Sequence, residues 1–277
     1  MTKDPSPWLS VLLLVLTLWV VDSRALAGSG HWVTTWATAP YLTEPKNLPP
    51  ERLAHKSLRQ FVRTSIGAKQ LRLRLCNAYG GSTTNSQDRW PDLLATRLAA
   101  NPVTAKIGVA NLGIGANGLL GGKAGFPSGQ TRFESDILNQ TGTRYFIIFM
   151  GINDIAFSGI NTPAAATSRA EVLIAAYTGL ASQARARNIK PYAATITPFG
   201  TSGTYTVTLE GIRQRVNDWI RNNTVFDGCT DFEAAVRDPA VPANLLPASI
   251  YQNDGLHLNT DGYQAMVNSV NLNLFKP

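Results

Sequence analysis

The chain of 277 residues has few of the side chains that staple small proteins or bind metals. It contains two cysteines, Cys76 and Cys229, and three histidines. Two cysteines allow one bridge at most, which excludes a multiply cross-linked scaffold. No group of His, Cys, Asp and Glu has the spacing of metal ligands, so the sequence predicts no metal site.

Concentrated charge is also missing. The 25 basic and 18 acidic residues give a net charge of +7, but the basic residues are scattered along the chain. No dense cluster with interleaved aromatic residues occurs, and the sequence therefore argues against binding to nucleic acid. Hydrophobic residues make up 44% of the chain, which is enough to form the core of one large domain or of two small ones.

Residues 1–27 have the pattern of a secretory signal peptide. Lys3 supplies a basic start, residues 8–21 are apolar, and Ala25 and Ala27 form a small-x-small cleavage site. The apolar stretch is short and wrongly flanked for a membrane span. We therefore expect a secreted protein with no stable membrane insertion after cleavage. A retained anchor is the alternative, because the basic region is poor.

The hydrophobic pattern changes at about residue 80. Residues 28–79 contain short alternating runs divided by turns, which is typical of β-structure. Beyond them, helical periods alternate with fully apolar strand-like runs, which predicts an α/β domain over residues 80–277, a three-layer αβα sandwich with a mostly parallel sheet. The predicted helices cover residues 88–99, 133–138, 168–188, 209–222 and 260–274; the predicted strands cover residues 105–111, 145–150, 191–197 and 230–235.

One polar motif follows a predicted strand, and another precedes the last predicted helix. Asp254 lies three residues before His257, where a carboxylate can hold an imidazole in one tautomer. Asn153 follows an apolar strand, where its amide can donate a hydrogen bond to an oxyanion, whereas we expect Asp154 to be structural. Active sites of parallel sheets form at the carboxyl ends of strands. The alternatives are an ordinary loop histidine and a turn asparagine.

The order of these motifs resembles the SGNH (GDSL-type) hydrolase superfamily from about residue 80 to the C-terminus. Arg-Trp-Pro-Asp-Leu-Leu at residues 89–94 resembles the helix after the nucleophile loop. Residues 111–116 resemble the second block, Gly-Ile-Asn-Asp at residues 151–154 resembles the third, and residues 254–257 resemble the last. The β-rich segment resembles the N-terminal region of one secreted branch of the superfamily.

The resemblance implies a serine-type hydrolase of acyl or acetyl esters, including those on carbohydrates and lipids, that needs no cofactor. It assigns His257 as general base, Asp254 as the group that orients it, and Asn153 together with the backbone N–H of Ala116 as oxyanion donors. The family has glycine at the position of Ala116. We expect the N–H of an alanine to remain available if its φ is negative.

The nucleophile block is the main departure from the family pattern, since no Gly-Asp-Ser occurs in the chain. The sequence reads as though a segment that contains the first strand and the catalytic serine had been removed. Ser82, in the loop of residues 77–87, is the best remaining candidate nucleophile, because glycines before it allow a sharp turn. The alternative is a polar loop without chemistry.

Residues 71–76 are our sequence-based candidate for the vacant central strand, although Arg72 and Arg74 would then face a helix layer at a cost in desolvation. Cys76 would lie near the carboxyl end of that strand, and Cys229 precedes a strand at the opposite edge. A disulfide requires Cα atoms within about 7 Å, so a bridge between them would contradict this placement.

Three functional readings follow from the sequence. The first is a secreted ester hydrolase that acts on a small-molecule, carbohydrate or lipid ester. The second is a relative that has lost its nucleophile and binds glycans or surfaces without catalysis. The third is an incompletely assembled version of a normal enzyme that folds poorly. The sequence leaves the oligomeric state open.

Overall fold

The structure, a computed structural model, describes residues 36–37, 88–121, 127–249 and 254–276. The strands are β1 (Trp36–Ala37), β2 (Val109–Ala110), β3 (Tyr145–Ile148), β4 (Lys190–Ala194) and β5 (Cys229–Thr230). The α-helices are α1 (Trp90–Ala100), α2 (Gly129–Phe133), α3 (Ile152–Ala156), α4 (Pro163–Ala186), α5 (Val207–Asn222), α6 (Phe232–Val236) and α7 (Thr260–Ser269). A π-helical turn extends α2 over Glu134–Leu138.

Every strand pairing among the described residues is parallel. Strands β3, β4 and β5 form one sheet in that order, with Tyr145 opposite Lys190 and Ala193 opposite Cys229. Strands β1 and β2 form a separate parallel pair. Long helices connect β3 to β4 and β4 to β5, which is the connection that parallel neighbours require. The sequence-based prediction of an α/β fold with a mostly parallel sheet is confirmed.

Alternation along β3 divides the core into two layers. Phe146 and Ile148 belong to a cluster that also contains side chains of α4 and α5. Tyr145 and Ile147 pack against the other cluster, which includes side chains of α1 and α7. Both faces of the strand are therefore covered by helices, as expected for a parallel sheet, and the three layers are helix, sheet and helix.

Short polar side chains set the helix starts. Thr162, Thr206 and Asn259 each accept a hydrogen bond from a backbone N–H in the first turn of α4, α5 and α7, respectively. Pro163 occupies the first turn of α4, where its missing N–H costs no hydrogen bond. With this cap, α4 begins five residues earlier than predicted. The prediction followed the spacing of apolar residues, which does not identify a first turn rich in alanine.

The predicted strand over residues 230–235 is wrong beyond its first residue. Strand β5 ends at Thr230, and α6 begins at Phe232. Asp231 caps this helix by accepting a hydrogen bond from the N–H of Ala234. Phe232 and Val236 are both fully buried, and their spacing of four residues is helical.

Strand β2 pairs with a strand from the predicted β-rich segment, since Trp36–Ala37 lies opposite Val109–Ala110. Residues 71–76 lie outside the described residues, as does most of that segment, so their place as the central strand stays a prediction. Within the described ranges, no helix has both the length and the apolar character that a membrane crossing requires.

A buried ionic network joins β4, α5 and α6. Arg213 of α5 has no solvent exposure and donates to the carboxylate of Glu210 and to the carbonyl of Ile196, at 2.9 Å. It also pairs with Glu233 of α6 at 3.0 Å. Asn217 accepts from the N–H of Ile196 at 2.7 Å and donates to Glu233 at 2.9 Å.

The charges in this network depend on one another. Burial alone would raise the pKa of Glu233, but the positive charges of Arg213 and Arg221 and a hydrogen bond from Asn217 hold the pKa below its ordinary value. Glu233 is therefore ionised at neutral pH and compensates Arg213. Because both groups are buried, each would be costly without the other.

Replacing Arg213 by methionine is expected to lower the free energy of unfolding by about 3–5 kcal/mol, because it leaves buried carboxylates without their main partner. The control is Arg215→Gln, two residues along the same helix, where an exposed pair with Glu171 at 3.2 Å is lost. We expect that control to cost less than about 1 kcal/mol. Urea unfolding followed by circular dichroism measures both; equal losses would contradict this account.

Candidate active site

His257 and Asp254 form a hydrogen-bonded pair in the loop before α7. Nδ1 of His257 lies 2.5 Å from Oδ2 of Asp254. The other carboxylate oxygen accepts the backbone N–H groups of His257 and Leu256, at 2.8 and 2.9 Å. An ionised carboxylate only accepts, so the imidazole donates from Nδ1 and keeps Nε2 free to take a proton. The His257 side chain is 65% exposed, which leaves that atom accessible.

The surroundings of Asp254 favour its ionised form. Partial burial would raise the pKa of this carboxyl group, but the hydrogen bonds from the backbone and side chain of His257 and from the N–H of Leu256 hold the pKa below its ordinary value. Asp254 is therefore an anion at neutral pH. A negative charge beside Nδ1 stabilises the imidazolium that forms when Nε2 accepts a proton.

The loop of His257 lies at the carboxyl end of β4. Gly255 has a φ of +69°, and a Cβ there would approach the carbonyl carbon of Thr201 to 2.4 Å. Thr201 follows β4 by seven residues. Asn153 follows β3, and β3 and β4 are parallel neighbours in register. The histidine and the asparagine therefore occupy the same edge of the sheet, as the sequence predicts.

Asn153 and Ala116 line one cleft, with a volume of about 450 Å³. One amide hydrogen of Asn153 is donated to the carbonyl of Asn117 at 3.1 Å, which orients the side chain. The amide has a second hydrogen that this contact does not use. The backbone N–H of Ala116 has no acceptor among the described residues. Two residues that carry donors of the type that stabilise an oxyanion therefore line the same cleft.

Ala116 does not have the negative φ under which we expect its backbone N–H to remain available. Its φ is +59°, in the left-handed region where glycine is normally found. An alanine therefore adopts here a backbone conformation that glycine adopts without strain. For an L-residue this conformation costs roughly 1–2 kcal/mol, so Ala116 carries local strain.

Asp154 organises the wall of the cleft, in agreement with its predicted structural role. Its carboxylate accepts the N–H groups of Leu119 and Leu120 at 2.6 and 2.8 Å, and that of Gly121 at 3.4 Å. Gly118 lies so close that a Cβ would approach Asp154 Oδ1 to 2.7 Å. The carboxylate of Asp154 therefore holds the backbone of residues 119–121 in place.

A second polar contact that sequence reasoning missed supports the loop of Ala116. Arg132 donates to Oδ1 of Asn117 at 3.0 Å and to the carbonyl of Leu112 at 3.2 Å. Asn117 in turn accepts from Asn153 through its carbonyl. Arg132 belongs to no motif and to no hydrophobic pattern in the sequence. Only its position on α2, which follows the loop, could have suggested the contact.

Ser82 lies outside the described residues, but Asp88, the residue directly after its loop, is held near His257 by a hydrogen bond. Asp88 follows Ser82 by six residues, which span at most about 20 Å. The hydroxyl of Thr260, three residues after His257, donates to Asp88 at 2.5 Å. Burial raises the pKa of Tyr263; the positive charge of Arg89 acts against this rise, and the charges of Asp88 and Asp254 add to it. The start of α1 and the acid of the pair therefore lie in one neighbourhood.

Cys229, within the described part of the chain, carries an exposed free thiol. Cys76, the other cysteine of the chain, lies outside the described residues, and the expectation that the two are too far apart for a bridge stays a prediction.

Comparisons with known proteins give a family match and similar solved structures. The model of the GDSL-like lipase/acylhydrolase family matches residues 77–265. A solved G-D-S-L family protein from Desulfitobacterium hafniense is 18% identical, with a TM-score of 0.50 over 68% of this chain and 90% of that one. A variant of Axe2, an acetyl xylan esterase from Geobacillus stearothermophilus, is 19% identical, with a TM-score of 0.48 over 65% of this chain and 78% of the other. None of the curated proteins matches.

Replacing Ala116 by glycine is expected to leave stability unchanged or to raise it by up to about 1 kcal/mol, because the left-handed backbone is then free of Cβ strain. The matched control is Ala175→Gly, at an exposed position inside α4, which we expect to lower stability by about 0.5–1 kcal/mol. Urea unfolding of both variants measures the difference. A loss at residue 116 as large as that at residue 175 would contradict the strain.

The pKa of Asp254 predicts a pH dependence. A lowered pKa in the folded state means that ionised Asp254 adds stability above the ordinary value, about 3.9. That stability is lost as the pH falls through the lowered folded pKa. The stability advantage of the native chain over Asp254→Asn should therefore shrink as the pH falls from about 5 to below about 4. Urea midpoints across this range measure it; a difference independent of pH would refute the assignment.

Proposed function

This chain belongs to the GDSL-like lipase/acylhydrolase family, and from that premise we propose that it is a secreted serine-type ester hydrolase of acyl or acetyl esters on a small molecule, carbohydrate or lipid. The observation that carries the proposal is the pair of Asp254 and His257 at the same sheet edge as Asn153 and Ala116. An imidazole with a free Nε2 supplies the base, and the two N–H donors supply the oxyanion site.

The proposed reaction follows the usual double displacement. Ser82 Oγ attacks the ester carbonyl carbon and transfers its proton to Nε2 of His257, while Asp254 stabilises the imidazolium. The carbonyl oxygen becomes an oxyanion beside Asn153 and the N–H of Ala116. The carbon–oxygen bond to the alcohol then breaks, and the alcohol leaves with the proton from His257. Water hydrolyses the acyl-serine by the same sequence of transfers.

Secretion is part of this proposal and is supported by the signal-like pattern of residues 1–27. The specific observation that favours the alternative, a non-catalytic protein that binds glycans or surfaces, is the lack of Gly-Asp-Ser in the sequence. A chain without a working nucleophile would keep the dyad and the cleft but form no acyl intermediate.

A fluorophosphonate probe tests the nucleophile. We expect the chain expressed from Gly28 to be labelled on Ser82, as mapped by mass spectrometry, and to hydrolyse p-nitrophenyl acetate. Ser82→Ala should abolish labelling, and His257→Ala should lower kcat by about 10³-fold or more, because Oγ loses its base. Ser135→Ala, at an exposed position on the π-helical turn, is the control and should retain both activities.

The outcomes separate the three readings. Absence of labelling and turnover in a chain that unfolds cooperatively in urea would replace the hydrolase by the binding protein. Labelling that maps to another serine would keep the reaction and reject Ser82. Unfolding without a cooperative transition would show a chain that does not form the domain at all.

A further inference from the structure

Arg169 stands out among the basic side chains of the described residues. The arginine and lysine residues there fall into two groups, those exposed to solvent and those that are partly or fully buried. Every other member of the second group has a hydrogen-bond or ion-pair partner: Arg89, Arg97, Arg132, Arg213 and Arg221. Arg169 is half-buried, yet it has no partner among the described residues.

The position of Arg169 is as informative as its lack of a partner. Its side chain lines the cleft that contains Ala116 and Asn153. It also lines an adjoining hollow of about 530 Å³, formed by residues of α4 together with Ile160. The guanidinium therefore borders the space that begins at the proposed oxyanion donors and continues along the surface of α4.

The two acids nearest to Arg169 in the cleft and along α4 form no ion pair with it. Asp154 also lines the cleft, but its two oxygens accept the backbone N–H groups of the neighbouring loop, at 2.6 to 3.4 Å. Glu171, the acidic residue two positions after Arg169, pairs with Arg215 on another helix. Among the described residues, the guanidinium of Arg169 therefore keeps its hydrogen-bond donors for a ligand.

An apolar surface adjoins the guanidinium. Phe157 lines the same cleft and is 67% exposed, which is unusual for a phenylalanine in a protein with two filled core clusters. Its ring can cover the apolar body of a ligand whose charged end reaches Arg169. Ligand sites commonly combine such a surface with a few polar groups that fix orientation.

From this arrangement we propose that the ester substrate carries an anionic group, a carboxylate or an equivalent oxyanion, and that Arg169 binds it. The proposal rests on the proposed function, because it names the substrate class of that site. A guanidinium matches a carboxylate through two parallel N–H···O bonds, and a partly desolvated site strengthens them. Arg169 is thus a specificity-determining residue that touches the substrate at a distance from the reacting carbonyl.

Matched esters test the proposal and identify the side of the ester that carries the charge. On the acyl side, p-nitrophenyl hydrogen succinate is compared with p-nitrophenyl butyrate, which has the same chain length and no charge. On the alcohol side, p-acetoxybenzoate is compared with its methyl ester. We expect kcat/KM for the anionic member of one pair to exceed that of its neutral partner by roughly tenfold or more, the usual contribution of one charge-assisted hydrogen bond.

Variants assign that preference to Arg169. Arg169→Gln should lower the ratio of anionic to neutral kcat/KM by roughly tenfold, through KM, and Arg169→Lys should restore part of it, because the charge remains without the planar fork. Arg187→Gln is the control. Arg187 is an exposed residue directly after the last residue of α4, and it lines neither the cleft nor the adjoining hollow. A ratio that falls equally in the control, or does not fall in Arg169→Gln, would overturn the proposal.

A binding measurement separates this proposal from the hydrolase proposal. The p-nitroanilides of succinic acid and butyric acid have the shape of the acyl esters but resist hydrolysis, and the p-acetamidobenzoate anion and its methyl ester serve for the alcohol side. Calorimetric titration should show tighter binding of an anionic amide than of its neutral partner in the native chain and in Ser82→Ala, but not in Arg169→Gln. Equal affinities, or no binding of any of them, would refute the anion site even if the esters are hydrolysed.

Discussion

The carboxyl edge of β4 depends on one buried ionic network. Ile196 is the second residue after the strand; Arg213 donates to its carbonyl, and Asn217 accepts its N–H. Glu233 neutralises the buried charge of Arg213. From Ile196 the chain continues to Thr201, against which Gly255 packs without room for a Cβ. The dyad loop is thus positioned by polar contacts beneath it.

How far the sequence predicts this molecule differs between its halves. The helices and strands after residue 88 follow from apolar periods, and their bounds shift where a capping side chain such as Thr162 decides. The pair of Asp254 and His257 is local in sequence, so its hydrogen bond could be expected from spacing alone. Contacts between distant residues, such as Arg132 with Asn117 or Arg169 with the cleft, depend on tertiary packing and have no local signal. The pairing of Trp36–Ala37 with Val109–Ala110 has no local signal either.

Ala116 shows how a backbone requirement can outlast the residue type that normally meets it. The neighbouring loop is held by Asn117, which contacts Arg132 and Asn153, and by the carboxylate of Asp154. These contacts fix the path of the chain on both sides of residue 116, so the left-handed conformation persists with an alanine in place. Strain of this kind is kept only where surrounding structure over-determines it, and such places concentrate at functional sites.

The hydrogen bond between Thr260 and Asp88 has a consequence for how this scaffold tolerates change. This hydrogen bond joins Asp88, just before α1, to Thr260, the first residue of α7. The number of residues upstream of Asp88 does not affect it. The entropy of closing a flexible loop grows only with the logarithm of its length. Insertions and deletions upstream of Asp88 can therefore be accommodated while the pair of Asp254 and His257 keeps its place.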